Sequence, residues 1–97
     1  MFELSREATE DVAAIPSEAM QSGGAAGAVR MARRLDAKFR AIATGLVPGL
    51  RQSDIEASIP LRFAIEYPFV IAFDPASRRI VRVLHGRRDF STIFPRD

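Results

Sequence analysis

No cysteine and no tryptophan occur in the 97 residues, while lysine, histidine and tyrosine occur once each, as Lys38, His85 and Tyr67. Without cysteine there is neither a disulfide framework nor a thiolate metal site. A single histidine removes histidine-rich metal sites and two-histidine mechanisms, leaving one imidazole for any general acid-base role. No apolar run approaches the ~20 residues of a membrane span. The start, Met1-Phe2-Glu3-Leu4-Ser5, lacks a basic segment leading into a hydrophobic one, so the expected location is the cytoplasm. Nucleophile-elbow, phosphate-loop, dinucleotide and metal-ligand spacings are all missing. The residues alone give no case for a conventional enzyme, and no cofactor is expected.

What is present is arginine, thirteen against the one lysine, in a chain whose formal charge is only +2. The chain is no polycation. Guanidinium groups suit planar, bidentate partners such as carboxylates and phosphates, although a GC-rich coding sequence gives the same bias. Hydrophobic residues at 47% and charged residues at 27% are ordinary for a globular chain. A chain of this length is expected to form one domain, 1–97, burying roughly 60–70% of its unfolded surface, which leaves no room for a deep pocket.

Along the chain, Phe2-Glu3-Leu4 alternates as a short strand, and Ser5 is placed to cap a helix carrying Glu7, Glu10 and Asp11 in its first turns. Ala8, Val12 and Ile15 recur at helical spacing and should face the core. Pro16 should shorten or kink this helix. Gln21-Ser22-Gly23-Gly24 reads as the turn of a helical hairpin. From about Ala25 to Ala43, Val29, Ala32, Leu35, Phe39 and Ile42 define one face of a long helix. Its basic residues read as a solvated face partly neutralised by Asp36. Gly45 stands at the C-cap and Pro48-Gly49 in the exit loop.

Three strand signals follow. Leu61, Phe63 and Ile65 alternate with Arg62, Ala64 and Glu66, and Tyr67-Pro68 connects to the nearly continuous apolar run Phe69–Phe73, which should be central. After the turn Asp74-Pro75-Ala76-Ser77, Ile80–Leu84 returns, with Val81, Val83 and His85 on one face and Ile80, Arg82 and Leu84 on the other. The expected architecture is α+β, an N-terminal helical hairpin packed on a small antiparallel sheet.

Arg82 interrupts an apolar face, so its charge needs a partner. Either it lies opposite the helices and binds a phosphate or an acidic surface, or it pairs within the sheet with Glu66 or Asp74. Arg62 has the same choice. If both project from an uncovered face, they form a basic patch with Arg87 or Arg88. His85 before Gly86 reads first as a structural residue at a strand end, with Gly86 supplying unusual backbone angles. Asp89 reads as the cap of a short helical turn, Phe90 to Phe94, packed on the sheet edge.

Ile80-Val81-Arg82-Val83-Leu84-His85-Gly86-Arg87-Arg88-Asp89-Phe90, with Phe94 after it, resembles the closing signature of the ParE branch of the ParE/RelE toxins. Leu61-Arg62 and Phe69–Phe73 match the same pattern, and Leu4-Ser5, Ala8, Asp11-Val12 and Ile15 match more loosely. The resemblance implies the toxin half of a type II toxin-antitoxin system, of the kind that stabilises plasmids. Such a toxin poisons DNA gyrase by protein-protein binding and is neutralised by a ParD-type antitoxin in a hetero-oligomer, with no membrane partner and no sequence-specific nucleic-acid contact. The candidate target-binding residues are those of the C-terminal strand and corner with Arg62, namely Arg62, Arg82, His85, Arg87, Arg88, Asp89 and Phe90, and the candidate antitoxin-binding residues are Val29, Arg33, Arg62 and Arg82. The alternative is RelE-type ribosome-dependent mRNA cleavage. That chemistry calls for a tyrosine hydroxyl near the C-terminus, where this chain has Phe94. Pro16 and Pro60 also depart from the pattern.

Overall fold

The computed structural model describes residues 2–50 and 60–86. A helical stretch, α1 (Arg6–Ala43), precedes three strands, β1 (Arg62–Glu66), β2 (Phe69–Phe73) and β3 (Ile80–His85), which form one antiparallel sheet in the order β1-β2-β3.

Ser5 caps α1, its hydroxyl accepting the Ala8 N–H at 3.0 Å, which satisfies one of the helix's orphan donors. The chain stays helical through Pro16 and breaks only at Gly24, whose φ of 68° and ψ of −168° fall in a region that only glycine occupies readily. Pro16 does not shorten the helix, and the hairpin turn narrows to one residue with non-helical backbone angles. Beyond it the second arm ends on Thr44 and on Gly45 at φ 81°. Gly45 N–H bonds Ile42 O and Leu46 N–H bonds Ala41 O, the paired closure that a left-handed glycine permits.

The core lies between the two arms and one sheet face, joining Ala8, Ile15, Leu35, Phe39 and Ile42 to Ala64, Phe69, Ile71, Phe73, Ile80 and Val83. Val29, expected in that face, is 51% exposed. The buried stripe instead runs through Met31, Leu35, Phe39 and Ile42, and position 29 falls off it at 100° per residue.

The sheet corrects two further expectations. Ala64 rather than Ile65 enters the core, and Ile65 is 57% exposed. A register shift between Ala72 and Phe73 pairs Ala72 with Arg82 but Phe73 with Ile80. Val81 is the extra residue, so Ile80 joins Val83 on the core face instead of alternating away from it. Phe63, Ala72 and Leu84 are also buried, giving β2 cover on both faces as its apolar run requires.

Candidate functional site

Arg82 is the one charge within the apolar run of β3, and its environment is set by strand order. In the three-stranded ladder β3 lies at an edge rather than in the centre. Its outer side is closed by the N-terminal segment: Ser5 N–H donates to Ile80 O at 2.8 Å, Ile80 N–H to Glu3 O at 2.9 Å, and the Ser5 hydroxyl to Val81 O at 2.6 Å. Further along the strand, Val83 N–H donates to Asp11 Oδ2 at 2.9 Å. Asp11 thereby continues the ladder with a side chain, which blunts an edge that would otherwise invite pairing.

The same carboxylate takes the Arg82 fork. Nε donates to Oδ2 at 2.8 Å and Nη2 to Oδ1 at 2.9 Å, with side-chain exposures of 24% for Arg82 and 15% for Asp11. Planar, two-toothed and half-buried, this is the strong form of a charge-assisted hydrogen bond. Arg82 therefore turns to the helix, not to the face opposite the helices, and its carboxylate partner is neither Glu66 nor Asp74. From an edge strand the side chain reaches around to α1, which a central strand would not allow.

The sequence reading missed Asp11, taking it for an acid of the first helical turns. Its spacing carried the signal: Asp11 stands three residues after Ala8 and four before Ile15, on the stripe those two bury.

Arg62 does not join Arg82. The register pairs Arg62 with Phe73 and Arg82 with Ala72, and β2 runs between them, so alternation puts the two on opposite faces about 10 Å apart. Glu66 accepts from Arg34 at 2.7 Å and lies 3.8 Å from Lys38, tying the second arm to β1. Arg40 pairs with Asp36 at 2.9 Å, as the solvated-face reading required.

His85 ends β3, edge-on to Phe69 with ring centroids 6.0 Å apart. It lines a cleft of about 120 Å³ with Ile65, Tyr67, Val70 and Gly86. Gly86 does not adopt the left-handed φ expected of it; a Cβ there would make a tight contact, 3.2 Å from Val70 Cγ2. Arg87, Arg88, Asp89 and Phe90, together with the helical turn through Phe94, lie outside the described residues.

Between the two arms opens an apolar groove of about 210 Å³, lined by Phe2, Val12, Ile15, Ala32, Leu35 and Phe39. Val29 and Arg33 sit one turn apart on the exposed surface of the second arm. Among the described residues no group of three acidic or histidine side chains stands where a metal would be held, and no helix is long and apolar enough to cross a membrane.

A capped helical hairpin over a three-stranded antiparallel sheet is the α+β architecture expected of a ParE/RelE-type toxin. The family model for the ParE toxin of type II toxin-antitoxin systems, parDE, matches residues 2–90. The chain belongs to that family, and membership implies an antitoxin partner. No curated protein matches it.

Proposed function

We propose that this toxin acts in the cytoplasm by binding DNA gyrase, trapping it on cleaved DNA without itself catalysing a reaction, and that a ParD-type antitoxin neutralises it. The observation that carries the choice of inhibitor over nuclease is the Asp11–Arg82 pair. Cleaving RNA means stabilising a charged phosphorane and moving the proton of a 2′-hydroxyl. A guanidinium committed to a carboxylate fork is poorly placed for the first task, and Phe94 has no hydroxyl for the second.

The antitoxin occupies the groove between the arms of α1, where burying apolar surface offsets the cost of ordering a flexible segment. Val29 and Arg33 extend that contact along the second arm. The target surface includes the His85 end of β3 and the Arg87-Arg88-Asp89-Phe90 corner that follows it in sequence.

A supercoiling assay with purified gyrase tests the reading. Inhibition accompanied by linear plasmid, reversed by antitoxin, is the expected result. Growth arrest with unaffected gyrase and site-specific cuts in ribosome-bound message would replace it with the nuclease reading.

A further inference from the structure

Four arginines among the described residues have no carboxylate partner: Arg30, Arg33, Arg62 and Arg78. The first two are exposed on α1 and are solvated by water, whereas Arg62 and Arg78 are half-buried. Partial burial of a cation without a counter-charge is unfavourable. Both residues nevertheless neighbour Phe73. Arg78 adopts φ 65°, a left-handed conformation that strains any residue with a Cβ. Its Nη1 donates to Val47 O at 3.0 Å and its Cζ lies 5.8 Å from the Phe73 ring centroid. Arg62 is the cross-strand partner of that same Phe73. Gly49 packs so closely there that a Cβ would lie 2.7 Å from both Arg62 Cβ and Phe73 Cζ.

Two guanidinium side chains, one from β1 and one from the β2–β3 turn, thus share an aromatic neighbour and the loop that leaves α1. Among the described acids none forms an ion pair with either arginine: Glu3 pairs with Arg79 at 3.0 Å, and Asp74 Oδ1 accepts the Ala76 N–H at 2.8 Å. We infer that Arg62 and Arg78 form a contact for the phosphodiester backbone of DNA. A single carboxylate fills one guanidinium fork, as Asp11 fills that of Arg82. Two forks rooted on different elements call for anions in a row, which a nucleic-acid backbone presents and which arginine matches in plane. The contact is independent of base sequence and does not depend on gyrase being the target.

Fluorescence anisotropy with a labelled 20-base-pair duplex, across a salt series, reads it directly. Arg62→Gln combined with Arg78→Gly is the informative variant, because glycine relieves the strained φ and thermal melting verifies the fold. Expected are a tenfold or greater loss of affinity and a salt slope shallower by about two, one unit for each phosphate no longer neutralised by an arginine. Arg30→Gln with Arg33→Gln removes the same charge from the solvated helix and should cost less than threefold. Equal losses in the two pairs, or no binding by the unaltered chain at 50 mM salt, would overturn the inference. So would displacement of the duplex by polyglutamate at equal charge concentration, which would assign the two arginines to an acidic protein surface. Gyrase poisoning by an unaltered chain that binds no duplex removes this inference alone, whereas duplex binding without poisoning leaves it standing and removes the gyrase reading.

Discussion

Asp11 satisfies three donors with two oxygens: both teeth of the Arg82 fork and the main-chain N–H of Val83. Removing it strands a half-buried cation and a ladder N–H together. Asp11→Ala should therefore destabilise the fold by about 2–3 kcal/mol, read as a lower urea midpoint at unchanged slope. Asp11→Asn keeps an acceptor for Val83 and should cost about 1 kcal/mol less. In a double-mutant cycle Arg82→Met should restore much of the loss in Asp11→Ala, because the stranded charge then disappears. Ser5 is a similar double contact, capping α1 while donating to Val81 O, and Ser5→Ala should cost about 1–2 kcal/mol. Toxicity would fall in all of these through loss of fold, so stability must be measured beside it.

Elements meet through glycines whose requirements differ. Gly24 has open space around its absent Cβ, but its φ and ψ suit no other residue; Gly24→Ala should cost about 1–3 kcal/mol by distorting the hairpin turn. Gly49 combines φ 79° with a 2.7 Å approach to Arg62 and Phe73. Gly49→Ala should exceed ~2 kcal/mol and abolish cooperative melting first. Gly45→Ala has only the left-handed φ to overcome, about 1 kcal/mol. Thermal midpoints in that order would establish that loop 45–50 is pinned by packing against β1 and β2, while the hairpin turn is pinned by backbone conformation. Val29→Asp on the exposed surface of α1 should leave the stability within about 0.5 kcal/mol, whereas Leu35→Asp should unfold the chain. If the antitoxin covers the second arm, Val29→Asp also weakens the complex several-fold in a pull-down titration. Undiminished binding would confine the antitoxin to the groove.

For the whole molecule, local rules decided a good deal. Helix starts, caps and turns follow from nearest-neighbour chemistry, so Ser5, Gly45 and the Asp74 turn were readable as written. An apolar run such as Phe69–Phe73 can be satisfied only between two covered faces, so its central place in the sheet is legible in the sequence. The order of elements fixed the α+β architecture, and the Arg62 and Ile80–Phe90 motifs pointed to the toxin family that the match over residues 2–90 establishes. Other features depend on contacts between residues distant in sequence. Arg82 and Asp11 are 71 residues apart, and nothing local says that β3 is an edge strand which brings them together. The register shift at Ala72/Phe73 moves Ile80 to the core, an insertion that alternation cannot anticipate. Arg62 and Arg78 differ from Arg30 and Arg33 only in what surrounds them. The sequence by itself determined the elements, their order and the family, because those rest on short-range propensity and apolar periodicity. The tertiary structure alone decided which arginines are neutralised and which are held half-buried without a carboxylate partner among the described residues, because burial and pairing are properties of the assembled chain.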